Sequence, residues 1–228
     1  MICIQICSSL EWVSLKAILK VQSSDICKYP YGEYINYKIY EKQCIFYHSG
    51  ATKTRSSAAC QFAIDKWEPN VVLVLGTCGG VGKNLRIADV IIANRTVQYD
   101  CIDRMGTEQP LFYESMTINI DNSWIDFSKL DERVYEGLIA TADQDINFEV
   151  LQLLRKEDVL CADWESGAIA CVCSLNKVKF CILRGISDVP EDNEASAINQ
   201  GMDYRKNTPI VMKKLIDTVL PVVLMNLG

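Results

Sequence analysis

The sequence predicts one α/β domain over residues 1–228, and three observations carry that prediction. Val71-Val72-Leu73-Val74-Leu75 is an unbroken apolar, β-branched run of the kind found in strands covered on both faces. Strand-like and helix-like segments alternate along the chain without a linker-like break, a low-complexity stretch or a repeat. The composition, 49% hydrophobic and 23% charged, suits a globular chain able to bury a sizeable core.

In chain order, Ile2 to Cys7 reads as a first core strand. A signal peptide fits poorly there, because the run lacks a basic start and Glu11 and Lys16 interrupt it early. Leu10 to Val21 has apolar residues at helical spacing, and Tyr29-Pro30-Tyr31-Gly32 is a turn. Tyr34 to Tyr40 alternates like a half-exposed strand, and Lys42 to Tyr47 pairs with it as a hairpin. Ser56 to Trp67 is helical and closes before Pro69. The buried run at 71–75 leads into Gly76-Thr77-Cys78-Gly79-Gly80, which reads as a tight turn exposing backbone amides. Ile87 to Ala93 and Gly137 to Ala142 are further strands, and the stretch from Asp100 to Trp124 between them fits no single pattern. Glu165 to Leu175 is a helix and Val178 to Ile186 a strand. Thr208-Pro209 then supplies an N-cap and first-turn proline for a closing helix, Ile210 to Leu220.

Net charge is −6 and no Lys/Arg block occurs, which argues against nucleic acid or an anionic membrane as partner. No apolar run is long enough to span a bilayer. Eleven cysteines, an odd number, sit mostly inside apolar segments, where a thiol behaves as a small hydrophobe; the expectation is a reducing cytoplasm. With one histidine and no zinc-type spacing around Cys171-Val172-Cys173, neither a metal nor a cofactor is expected.

The residues that could carry chemistry each have a plainer reading. Gly76 to Lys83 looks superficially like a phosphate loop, but Thr77 and Asn84 stand where a Walker A motif needs Gly and Ser/Thr. Glu165 could be an N-terminal charge on a helix, yet Ser166-Gly167-Ala168 beside it is small enough for a ligand to approach. A carboxylate there can accept two hydrogen bonds from a vicinal diol. Asp188 could be a turn former, or an acid delivered past a strand end to protonate a ligand. Arg184, in an apolar strand, needs a carboxylate partner such as Asp188 or another site acid. Glu11 reads either as a first-turn acid or as a general base. His48 reads as a structural strand-end residue, and Cys78 as a nucleophile by composition alone.

Taken together, these segments resemble the purine nucleoside phosphorylase/uridine phosphorylase superfamily, most closely its 5′-methylthioadenosine/S-adenosylhomocysteine nucleosidase branch. Ser49-Gly50-Ala51-Thr52-Lys53 is similar to that branch's S-G-x-G-K turn. Gly76-Thr77-Cys78-Gly79-Gly80 resembles its G-[ST]-[AC]-G-G loop, Ala88-Asp89-Val90 its G-D-V, and Ala142-Asp143 its [SG]-D. Asp163-Trp164-Glu165-Ser166-Gly167-Ala168 is similar to x-M-E-x-x-A, and Arg184-Gly185-Ile186-Ser187-Asp188 to R-x-[IV]-S-D. The resemblance implies a three-layer α/β/α fold with a central mixed, twisted sheet. It implies hydrolysis of the N-glycosidic bond of a purine nucleoside through an oxocarbenium-like transition state, in a homodimer. By the same resemblance, Glu165 binds the ribose hydroxyls, Asp188 donates a proton toward N7, and Glu11 activates water. Thr77, Cys78 and Gly79 line the ribose and base, Ile146 the base, and Trp164 stands where a methionine lies under the ribose.

A phosphate-dependent phosphorylase and a non-catalytic nucleoside-binding protein are the rivals. The phosphorylases carry an arginine before the glycine loop and an early G-D-P-x-R segment; here Leu75 and Cys7-Ser8-Ser9-Leu10-Glu11 stand in those places. Water is thus the expected nucleophile, with Arg55 and Arg86 the residues a phosphate would need. The chain departs from the branch at Trp164, at Asp145 in place of a base-stacking aromatic, and at Ala51-Thr52 in place of Ile-Gly.

Overall fold

The computed structural model describes residues 1–102, 105, 114–190 and 196–227, with residues 196–200 as backbone only. The first strand, β1 (Ile2–Ile6), is buried throughout and leads into α1 (Ser9–Ile18). The strands β2 (Ile26–Tyr29), β3 (Gly32–Ile39) and β4 (Lys42–His48) form an antiparallel meander, followed by α2 (Lys53–Trp67). Next come β5 (Val71–Gly80), β6 (Val90–Gln98), the short β7 (Thr117–Asn119) and β8 (Val134–Thr141). The chain continues through α3 (Phe148–Lys156), β9 (Val159–Asp163), α4 (Ser166–Leu175) and β10 (Lys179–Asp188). It closes on α5 (Ser196–Lys214), a π-helical turn at Leu215–Val219, and α6 (Leu220–Met225).

Strands β4, β1, β5 and β10 lie side by side and parallel, so β1 and β5 are paired along both edges. Their side chains divide by the two-residue strand period. Ile4, Ile6, Leu73 and Leu75 pack with α1, α5 and α6, whereas Cys3, Val72 and Val74 pack with α2 and α4. A mixed, twisted sheet with helices on both faces follows, as the sequence led us to expect. One half of the sheet goes further and closes: β5 pairs β10, β10 pairs β6, β6 pairs β8, β8 pairs β9, and β9 returns to β5 at Gly79 and Gly80. The C-terminal ends of β1, β4, β5, β9 and β10 gather at one rim, the end at which ligands bind in open α/β sheets.

Several elements differ from the sequence expectation for physical reasons. Gly76–Gly80 is not a turn: it continues β5, because β10 pairs it on one side and β9 on the other. The strand expected at Ile87–Ala93 starts at Val90, after Ala88 adopts a left-handed φ of 68°. Thr208-Pro209 opens no helix. The chain runs helically through Pro209, and the Thr208 hydroxyl donates back to the Tyr204 carbonyl at 2.5 Å. Asn207 and Thr208 are buried, and that packing outweighs the proline's missing N–H. In the unassigned stretch from Asp100 to Trp124, residues 103–104 and 106–113 lie outside the described residues.

Candidate active site

A cavity of about 330 Å³ opens at the rim. It brings together Glu11, Thr77, Cys78, Gly79, Ile146, Trp164, Glu165 and Asp188 from five different segments of the chain. Arg184 lies behind its wall and is fully buried. His48, Arg55 and Arg86 do not line it. His48 ends β4 and stacks on Trp12 with ring centroids 5.8 Å apart.

Glu11 is a first-turn acid of α1 whose two carboxylate oxygens have different partners. Its backbone N–H donates to Ser8 Oγ at 3.1 Å and the Ser8 N–H donates to Glu11 Oε2 at 2.9 Å, a capping box on α1. The other oxygen, Oε1, accepts the Thr77 N–H and hydroxyl at 2.6 and 2.7 Å. Glu165 holds the N-cap position of α4 yet does not cap it. Asp163 does: its Oδ1 accepts the N–H groups of Glu165 and Ser166 at 3.2 and 3.1 Å, and the Thr141 hydroxyl at 2.7 Å. Glu165 is therefore free to turn toward the cavity, where Oε1 accepts the Thr52 N–H at 3.2 Å.

The partners of Arg184 are Asp163 and Glu165 rather than Asp188: Nε lies 2.7 Å from Asp163 Oδ2, and Nη2 donates to Glu165 Oε2 at 3.3 Å. Its Nη1 is buried without a hydrogen-bond partner among the described residues. A Cβ on Gly76 would lie 2.1 Å from that Nη1 and 2.8 Å from Glu11 Oε1, so the bare glycine lets both groups close over the strand. Sequence reasoning missed Asp163. The signal was Arg184 itself, since a buried guanidinium with five donors needs more than one acid.

Asp188 ends β10, where the Ser187 hydroxyl donates to its Oδ1 at 2.6 Å. Its Oδ2 faces the α-carbon of Gly79, where an added Cβ would lie 3.2 Å from it and 3.2 Å from Ile146. Burial raises the Asp188 carboxyl to about 6; the Ser187 hydrogen bond opposes this, and the charges of Asp203 and Asp145 add to it. Burial likewise pushes Glu165 up, to about 8, with Arg184 opposing and Asp163 and Glu11 adding. The Cys78 thiol is pushed well above its ordinary value by burial and by its hydrogen bond with Cys161, which removes it as a nucleophile. Trp164 keeps 36% of its surface exposed at the cavity wall.

The cavity thus holds an acid that keeps its proton up to about pH 6, a second whose oxygens can accept hydrogen bonds from a diol, and a third acid fixed beside a guanidinium N–H that has no partner among the described residues. Glu11, Asp145, Asp163, Glu165 and Asp188 line it, and among the described residues no Lys or Arg does. No group of three or more His, Cys, Asp or Glu is arranged to hold a metal ion among the described residues. All eleven cysteines are free. No helix among the described residues is long and apolar enough to cross a membrane.

Comparison with known proteins gives consistent matches. The family model described as the phosphorylase superfamily matches residues 18–223. The chain is 30% identical over 181 residues to the 5′-methylthioadenosine/S-adenosylhomocysteine nucleosidase of Exiguobacterium sp., covering 72% of this chain and 77% of that one. It is 27% identical over 186 residues to the protein of the same name from Buchnera aphidicola, covering 74% and 79%. Among solved structures, the Helicobacter pylori nucleosidase of that name, in complex with butyl-thio-DADMe-Immucillin-A, superposes with a TM-score of 0.83. That match has 22% identity and covers 98% of this chain and 97% of that chain.

Proposed function

Because the chain belongs to the phosphorylase superfamily, and within it to the 5′-methylthioadenosine/S-adenosylhomocysteine nucleosidases, we propose that residues 1–228 form a single domain that hydrolyses the N-glycosidic bond of a purine nucleoside. The observation that carries the choice of water over phosphate is the make-up of the cavity wall: five acidic side chains and, among the described residues, no Lys or Arg to pair with a phosphate. A phosphate dianion entering it would meet repulsion in a partly dry site, whereas a ribosyl cation is favoured there.

In this reading the base lies between Asp188 Oδ2 and Ile146, over Gly79, where a side chain would intrude. Asp188 gives its proton to N7 as the C1′–N9 bond breaks and its electron pair leaves with the base. Glu165 accepts hydrogen bonds from the ribose 2′- and 3′-hydroxyls, and the Trp164 ring covers the sugar. Water sits against Glu11 at the cavity wall, adds to C1′, and gives its proton to Glu11. Positioning and fixed electrostatics supply the rate enhancement, with Asp188 adding general acid catalysis. We place the enzyme in a reducing cytoplasm, supported by its free thiols, and as a homodimer.

The deciding experiment incubates purified protein with methylthioadenosine, S-adenosylhomocysteine, adenosine and inosine, with and without phosphate, and identifies the sugar. Free sugar formed without phosphate is the expected result. Strict phosphate dependence with a sugar 1-phosphate product would make the chain a phosphorylase, and binding without turnover would make it a sensor.

A further inference from the structure

The two oxygens of Glu165 have partners of different kinds. Oε2 accepts from Nη2 of Arg184, a fully buried side chain that Asp163 also holds. Oε1 accepts the N–H of Thr52, which lies in the short loop between β4 and α2. The loop is the weaker support. Thr52 has φ 88° and ψ 153°, and its side chain makes no capping bond to α2. A threonine in this region of φ and ψ persists only where its surroundings hold it there.

The next residue, Lys53, supplies that hold twice. Its N–H donates to Asp143 Oδ1 at 2.8 Å, and its ammonium donates to Asp100 Oδ1 at 2.5 Å. Asp100 closes the ring with its other oxygen, which accepts the Asp143 N–H at 3.0 Å. Both acids stand on firm ground. Asp100 follows the end of β6 and Asp143 the end of β8, and these strands pair up to Gln98 and Thr141. Beyond them the Tyr99 N–H donates to the Thr141 carbonyl, and the Ala142 N–H to the Asp163 carbonyl, each at 3.1 Å. The side chains of Lys53 and Asp100 keep only 19% and 22% of their surface exposed, so water and salt screen this pair less than a surface one. The ring thereby ties the loop after β4 to the closed half of the sheet, three residues before Ile146 at the cavity wall.

We propose that Lys53, Asp100 and Asp143 form a clasp that keeps the Thr52 N–H on Glu165, and are positioning residues for the ribose diol, a role that rests on the nucleosidase reading above. None of the three lines the cavity, so each acts through Glu165 and not on the substrate. With the clasp open, Thr52 relaxes out of its strained conformation and its N–H leaves Oε1. The Glu165 carboxyl then keeps Arg184 alone and is no longer fixed in the plane that meets two hydroxyls. The loss falls on the sugar hydroxyls, because the groups around the base do not touch the clasp.

The test compares kcat/KM for methylthioadenosine and its 2′-deoxy analogue, which offers Glu165 one hydroxyl instead of two. The proteins are the wild type, Lys53→Met, which keeps the stem and removes the charge, and Lys53→Arg, which keeps the charge. Amide hydrogen exchange at Thr52 is followed by NMR in the same proteins. Lys53→Met should lower the ratio of the two kcat/KM values by about fivefold, the order of one weakened hydrogen bond to a carboxylate. It should also speed exchange at Thr52 by about tenfold, and Lys53→Arg should bring both quantities back toward wild type. A change of less than about threefold in either quantity overturns the clasp, as does a loss shared equally by the two substrates. Asp100→Asn opens the same ring and takes the place of Lys53→Met if that variant does not fold. If neither nucleoside is cleaved, the nucleosidase reading fails on its own, and exchange at Thr52 still decides whether the clasp holds it.

Discussion

Thr77 gives both its backbone N–H and its hydroxyl to a single oxygen of Glu11, at 2.6 and 2.7 Å. The Ser8 N–H holds the other oxygen at 2.9 Å, so three donors fix the plane of the carboxylate. Glu11→Gln keeps the size but presents an NH₂ group to Thr77 or to Ser8, each of which is a donor. Turnover should fall by about 10²- to 10⁴-fold, the usual worth of a positioned general base. Nucleoside binding should change far less. A variant with kcat within threefold of wild type in steady-state assays would remove Glu11 from the chemistry.

Gly76 separates Glu11 from Arg184, and Gly76→Ala tests whether their closeness matters. The added methyl would lie 2.1 Å from Arg184 Nη1, so the guanidinium must shift, straining its bonds to Asp163 and Glu165. Overpacking of this kind costs about 1–3 kcal/mol, and disturbing a buried ion pair adds to it. Urea unfolding should report the loss of stability, and kcat should fall with it. Wild-type midpoint and rate together would mean that the cluster has slack.

The strands were legible where burial is continuous, as at 71–75; Asp188 was legible as an acid at a strand end, and Glu11 and Glu165 as acids in the first turn of a helix. The continuation of β5 through Gly76–Gly80 was not. Glycine signals a turn locally, and only pairing with β9 and β10, some 80 and 110 residues later, keeps the segment extended. Asp163 was hidden for the same reason. Its partners Thr141 and Arg184 are distant in sequence, and its role as the cap of α4 frees the more conspicuous Glu165. Tyr204, which lines the cavity from α5, escaped because a helix running through Pro209 is contrary to local propensity.

Two departures from the glycine-containing motifs place strain in the backbone. Thr52 has φ 88° and ψ 153°, a region close to glycine-only, and its N–H is the one bound by Glu165. Ala88 has φ 68°. Thr52→Gly should raise stability by about 1 kcal/mol, since relief of roughly 1–3 kcal/mol of strain is partly offset by glycine's greater unfolded entropy. Ala88→Gly should gain less. A fall in the urea midpoint for Thr52→Gly would mean that the loop tolerates this conformation without strain.

The raised carboxyl groups set a pH dependence whose sign is fixed. Asp188 stands at about 6 and Glu165 at about 8 in the folded chain, both driven up first by burial from ordinary values of 3.8 and 4.5. The native state therefore binds more protons than the unfolded chain between those ordinary values and the raised ones. Their contribution to stability is complete below about pH 4 and is lost as pH rises through 6 and then 8. For Asp188 alone the loss is about 3 kcal/mol at most, from roughly two pKa units. As a proton donor Asp188 must also be protonated, so kcat/KM should decline above about pH 6. Asp188→Asn should lower kcat more than tenfold and flatten both the descending limb of activity and the urea midpoint between pH 4 and 7. If the limb persists in that variant, the group that titrates near pH 6 is not Asp188.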